Sequence, residues 1–165
     1  MELPGSRWAV SLEYRNISEP DARALKAFFA KLRGMAGRFY CHDFSHPLPA
    51  GTASGIGKVK GTSQAGSSLV TDNWPASQPR LFAAGDYFTV NGELKIITQT
   101  VSSDSSGEAT LVFEPPLRSS PADNADVVTS SPAATFRLAS DDQDQITFDP
   151  DRRPTIQIEA VEVFS

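Results

Sequence analysis

Asn91-Gly92 constrains this chain more than any other pair of its residues. The two residue types that most readily adopt positive φ stand side by side between β-prone runs, and such a pair closes a two-residue hairpin whose twist matches its flanking strands. Before it, Tyr87 and Thr89 alternate with Phe88 and Val90; after it, Leu94 to Val101 is a second β-rich run. Ser102 to Gly107 then reads as a polar turn, and Ala109 to Phe113 as a third run. The pair Pro115-Pro116, lacking two backbone donors, is expected to end that run and leave Leu117 and Arg118 to begin a connection. Leu81 to Arg118 is therefore predicted to be a three-stranded antiparallel unit.

The flanks carry their own periodicities. Trp8, Val10, Leu12 and Tyr14 alternate with mostly polar residues and predict a first strand. Ser18 followed by Glu19, Pro20 and Asp21 is a helix start, and Gly34 stands where a left-handed stop is wanted, so a helix is expected over 19–33. Its buried stripe is predicted to be Leu25, Phe28, Phe29 and Leu32. Gly37 to Phe44 reads as the next strand, ended by Pro47, Pro49 and Gly51. From Thr52 to Arg80 the chain turns to Gly, Ser, Thr and Gln, with Lys58–Lys60 and Ser68–Thr71 as short strands. Val127–Thr129 and Thr135–Leu138 are further short strands, and Ile146–Phe148 is β-capable within an acidic, turn-rich stretch. Thr155 to Phe164 predicts a last strand with Ile156, Ile158, Ala160 and Val163 inward, a bulge near Glu159–Val161, and pairing with the first strand.

The fold class expected from this pattern is mainly β with one α-helix, a core in which the first and last strands meet in one sheet, carrying an inserted small antiparallel β-unit. The core is assigned to 1–50 and 132–165, with the helix at 19–33, and the inserted, barrel-like unit to 51–131. No apolar run approaches the roughly 18 residues that span a bilayer, so no membrane association is expected. Met1 to Gly5 lacks a basic start followed by an apolar block, so no secretory signal is expected. The single Cys41 leaves no partner for an intrachain disulfide.

A net charge of −5 disfavours a protein that grips nucleic acid through many phosphates, and no sequence-specific nucleic-acid binding is expected. The charge is uneven: Arg23, Lys26, Lys31, Arg33 and Arg38 are clustered early, Asp141, Asp142, Asp144, Asp149 and Asp151 late. Such asymmetry suits a head-to-tail contact between copies, with solvated faces as the plainer reading. Candidate inter-subunit residues are Arg33, Arg38, Arg118, Asp141, Asp142 and Asp144.

Catalytic chemistry does not assemble from the sequence. Cys41, His42, Asp43 and His46 are close in sequence, but strand neighbours point apart, and the chain has no other Cys or His to complete a zinc cage or support a thiol nucleophile. Gly55 to Lys60 lacks the spacing and the Lys-Ser/Thr pair of a phosphate loop. Asp86 and Asp104 read as strand-opening and turn residues rather than a carboxylate pair. No catalytic residue, metal or cofactor is expected. Trp74, in a loop with Pro75 and Pro79, reads either as a loop anchor or as a partner-facing aromatic.

Two segments also carry a resemblance. Gly85-Asp86-Tyr87-Phe88, the hairpin, Ser103-Asp104 with Gly107, and Pro115-Pro116-Leu117-Arg118 resemble a segment recurrent in the baseplate and tail-tip proteins of long-tailed bacteriophages, the distal tail proteins in particular. Trp8, the helix, Leu32-Arg33-Gly34 and Gly37-Arg38-Phe39 form a second such segment. The resemblance implies a tail-tube-like β-sandwich in a ring, typically of six copies, that links the tail tube protein to the tail hub and tip proteins around a DNA channel. It implies a place in the virion tail tip after assembly in the host cytoplasm. A receptor- or glycan-binding module of the tail tip, using Trp74 as its platform, is the alternative, and a small cell-wall hydrolase a third reading.

Overall fold

The structure, a computed structural model, describes residues 7–141, 146–147 and 155–164. Among these the chain is mainly β with a single α-helix, and its contacts divide it into two compact units. One is formed by Arg7–Tyr40 with the chain from Thr135 onward, the other by Cys41–Ala134.

In the first unit, β1 (Ala9–Tyr14) lies antiparallel to the last strand of the chain, β11 (Thr155–Glu162), as expected. Ala9 stands opposite Val161 and Tyr14 opposite Ile156 without interruption, so the predicted bulge is absent. β11 alternates cleanly instead, with Ile156, Ile158, Ala160 and Glu162 inward, and the last inward position is Glu162 rather than Val163. An acid is tolerated there because its carboxylate accepts from the Trp8 backbone N–H (3.1 Å) while its own N–H donates to the Trp8 carbonyl (2.8 Å). The sheet order is β1-β11-β9-β2, with β9 at Ala133–Leu138 and β2 at Phe39–His42; a short β10, Ile146–Thr147, also pairs with β11.

The helix α1 spans Glu19–Leu32. Ser18 caps it by accepting from the Asp21 N–H (3.3 Å), Pro20 occupies its first turn, and Glu19 and Asp21 sit at the positive end of its dipole. Both Arg33 and Gly34 turn left-handed (φ 53° and 64°) to end it and lead into a short 3-10 turn, Gly34–Ala36. Ala22, Phe29 and Leu32 are buried against Leu138, Ile156 and Ile158, with Leu25 at the margin. Phe28 corrects the expected stripe: it is 42% exposed, its ring packing edge-on against Phe29 and Phe39 at the rim. Adjacent helix residues are about 100° apart, so only one of the two Phe rings can point straight down at the sheet.

The second unit is a closed six-stranded barrel in which every neighbour is antiparallel. Its strands are β3 (Ile56–Val59), β4 (Gly66–Asp72), β5 (Tyr87–Val90), β6 (Glu93–Ile97), β7 (Ala109–Leu117) and β8 (Asp126–Val128), in the order β3-β4-β7-β6-β5-β8. Val90 faces Glu93 across Asn91 and Gly92, both with positive φ (51° and 75°), so the hairpin closes as predicted, and β5, β6 and β7 are successive neighbours. The Pro pair does not end the third strand: β7 runs through Pro115 and Pro116 to Leu117. The register against β4 jumps there, from Val112 opposite Ser68 to Leu117 opposite Gly66, so the prolines fall in a bulge where the ladder asks for no N–H.

Candidate interaction surfaces

The residues expected to meet other subunits are distributed over both units, and the structure gives several of them work inside their own unit. Arg38 is exposed, and its Nη1 donates to the carbonyls of Met35, Ala36 and Gly37, each at 2.9 Å. Asp141 Oδ1 accepts from the Met35 N–H (2.7 Å). A cation on the carbonyls and a carboxylate on an N–H thus hold the connection between α1 and β2 from its two polar ends. Arg33 is exposed at the helix stop. Asp142 and Asp144 lie outside the described residues.

Arg118 is placed inside one end of the barrel. Its backbone N–H donates to Glu93 Oε2 (3.1 Å), and its guanidinium, with the side chain 15% exposed, stands 3.8 Å from the same oxygen. Glu93 also takes Lys95 Nζ at 2.7 Å; Lys95 is fully buried, donates to the Pro116 carbonyl (2.9 Å) and lies over the Phe113 ring. The sequence signal for this cluster was the alternation itself, because Glu93, Lys95 and Ile97 share the inward face of β6. A polar residue on a strand reads as solvent-facing until the strand is known to be covered.

Trp74 is corrected from a partner-facing aromatic to a core residue. It is 5% exposed, its indole N–H donates to Thr71 Oγ1 (2.8 Å), and its ring meets Phe82 edge-on at 5.3 Å. Two glycines make the space: a Cβ at Gly57 would overlap the indole, and one at Gly107 would overlap the Trp74 carbonyl. The segment is further stitched down by Ser103, whose hydroxyl donates to the Pro75 carbonyl (2.6 Å) and accepts from the Gln78 N–H (2.9 Å). A Ser- and Pro-rich context looks like surface, and only the distant glycines mark the pocket.

Cys41, His42, Asp43 and His46 do not converge. Cys41 is buried, and burial together with the Asp43 carboxylate pushes its thiol pKa up, which disfavours the thiolate. The His42 ring lies against Phe44, with centroids 4.5 Å apart. Asp43 opens a tight turn, accepting from the Ser45 N–H (2.8 Å) and facing His46 Nδ1 (3.0 Å), and the His46 contact holds its carboxyl below the usual range. Among the described residues, no group of three or more His, Cys, Asp or Glu side chains is placed to hold a metal ion. Asp86 and Asp104 each serve local backbone. Asp86 is buried and accepts from the N–H groups of Ala50 (2.7 Å), Gly51 (3.1 Å) and Ala83 (2.7 Å). Asp104 caps its hairpin turn by accepting from Ser106 (2.8 Å) and Glu108 (2.9 Å), which lowers its pKa.

One surface was missed from sequence. The segment from Asp43 to Ala53 is fastened at the Asp43 turn, at the Pro47 carbonyl by Ser131 N–H (2.6 Å), at Asp86, and at the Arg80 and Leu81 carbonyls by Thr52 and Ala53. From this fixed loop Phe44 (60%) and Leu48 (66%) project into solvent. No family model and no curated protein sequence matches the chain. No described helix is long and apolar enough to cross a membrane.

Proposed function

We propose that this chain is a structural virion protein of a phage tail tip. In this reading it is a ring-forming distal tail component, typically of six copies, that links the tail tube protein to the tail hub and receptor-binding apparatus around a DNA channel. The sheet and helix built by the first and last described segments are then the ring-forming unit, although among the described residues they form one sheet under one helix and not the expected sandwich, and the barrel closed by the intervening chain is the inserted unit. The observation that carries the reading is the pairing of β1 with β11, which joins the two ends of the chain in one sheet while the intervening chain closes a barrel of its own. The resembling motifs support it through their architectural roles: Asp86 clasps a loop, Phe88 fills the barrel, Arg33-Gly34 stops the helix, and Arg38 holds the turn after it. These are the posts of a scaffold rather than the groups of a reaction centre. The glycan-binding alternative loses its platform with Trp74 inside the barrel. Electron microscopy of tail tips labelled on this chain tests the proposal. A six-fold layer at the end of the tail tube is expected, and a single-copy or three-fold position, or absence from the virion, overturns it.

A further inference from the structure

Within a ring of identical subunits each copy offers two different surfaces, and two of the exposed apolar sites among the described residues suit these roles. The first is the Phe44–Leu48 loop. Large apolar side chains held out by a loop fastened along its length are a preorganised contact, since little ordering remains to be done when a partner arrives. The second is the outer face of α1, where Phe28 is 42% exposed beside exposed Ala24, Ala27 and Lys31, one helical turn apart.

Charge distinguishes what each patch will accept. In Cys41–Ala134, which carries the loop, Asp and Glu outnumber Lys and Arg. In α1 and the turn after it the balance reverses: Arg23, Lys26, Lys31, Arg33 and Arg38 stand against Glu19 and Asp21. Two acidic units brought loop to loop would repel, as would two basic helices brought face to face. Acidic unit against basic helix is the arrangement in which apolar burial and charge agree. We infer that the Phe44–Leu48 loop of one copy docks on the Ala24–Lys31 face of α1 in the next copy, a head-to-tail contact that leaves each subunit one loop and one helix to pass the chain onward.

This inference rests on the self-association proposed above and is tested with the full chain by native mass spectrometry and sedimentation. The loop variant is Phe44→Ser/Leu48→Ser, and the helix variant is Ala24→Glu/Lys31→Glu; all four positions are exposed, so circular dichroism and the unfolding midpoint should match the parent. The parent is expected to assemble and each variant alone to be monomeric, with association weakened at least tenfold. Mixed in equal amounts, the two variants retain one intact contact, the helix variant's loop on the loop variant's helix, and should give dimers and nothing larger. A parent that stays monomeric overturns the ring reading together with this contact. A parent that assembles while either variant assembles equally well, or a mixture that yields no dimer, overturns the contact alone. Dimers of the helix variant by itself would mean loop-to-loop pairing and likewise overturn it.

Discussion

The barrel and the sheet-and-helix unit solve the same problem, covering a β-sheet, in different ways. The barrel closes its sheet on itself, so Val59, Leu69, Leu81, Phe82, Phe88, Val90, Leu111, Phe113 and Val127 are all without solvent exposure. The sheet unit has one amphipathic helix for the purpose; its core of Ala22, Phe29, Leu32, Leu138, Ile156 and Ile158 is smaller, and Leu12, Tyr14, Leu25 and Phe39 are only partly covered. Closure removes sheet edges and encloses the core, so the exposed apolar residues of that unit lie outside it, on the Phe44–Leu48 loop and at Ile56 and Val70, whereas a sheet with one helix leaves its core itself open at the margins. The barrel's core is closed by its own strands, and the core of the sheet unit is the one left partly open at its rim.

The sharpest test of that contrast is a cavity in each core, read unit by unit. Trp74 reports on the barrel and Trp8 on the sheet unit, so single-Trp variants follow each by fluorescence. Phe113→Ala removes a fully buried ring packed edge-on against Phe88 at 5.3 Å and should cost about 3–5 kcal/mol, with the Trp74 transition moving to lower denaturant. If the Trp8 transition moves as far, the two units unfold as one and the comparison fails.

The next effect concerns the polar end of the barrel. Glu93→Ala would leave Lys95 buried without its carboxylate, and the loss should be about 3–5 kcal/mol. The double variant Glu93→Leu/Lys95→Met, which removes the buried pair at similar volume, should recover part of it, the remainder reflecting Arg118, whose N–H and guanidinium lose the same carboxylate. Denaturation of the three proteins in parallel decides the matter. A double variant as unstable as Glu93→Ala would mean that shape, rather than charge compensation, holds this end closed.

In the sheet unit the two adjacent phenylalanines should separate. Phe29→Ala should cost about 3 kcal/mol, the low end for a ring at the edge of a small core, and Phe28→Ala about 1 kcal/mol or less, since its ring is already partly in water. Equal losses at the two positions would mean that the helix sits rotated from its described orientation.

These residues also show where sequence reasoning reached and where it stopped. The Ser18 cap, the Asn91-Gly92 turn and the alternation of β1 were readable because each is dictated by neighbours in sequence, whereas the long-range pairing of β1 with β11 was inferred from two half-buried strands that each need a neighbour. The path of β7 through Pro115-Pro116 was not, because whether a missing N–H matters depends on the register of β4 opposite. The inward Lys95 and Glu162 were not, because alternation assigns a residue to a face without saying whether that face is covered. Arg118, Asp141 and Trp74 share that limit: their partners Glu93, Met35 and Phe82 become neighbours only once the intervening chain has folded back. The Phe44–Leu48 surface went unread for the converse reason, since apolar residues near a strand end look like core until the loop is seen fastened outward.

The smallest expected effect is a pH dependence confined to the barrel. Asp104 is held below its ordinary value of 3.8 by the backbone N–H groups of Glu108 and Ser106, so its charged form is favoured by folding. Such a group contributes stability above its unfolded pKa, and the contribution is lost as pH falls through the lower folded value. Asp104→Ala should therefore destabilise the barrel by a constant amount from neutral pH down to about pH 4, and the gap to the parent should close below it. The turn is solvent-exposed, so the difference will be small and is best read in the Trp74 transition at fixed ionic strength. The Trp8 transition, reporting on a unit in which Asp104 takes no part, should not respond. A gap that persists unchanged well below pH 4 would mean that the carboxylate's charge is not what holds this turn, and that the side chain acts there by shape alone.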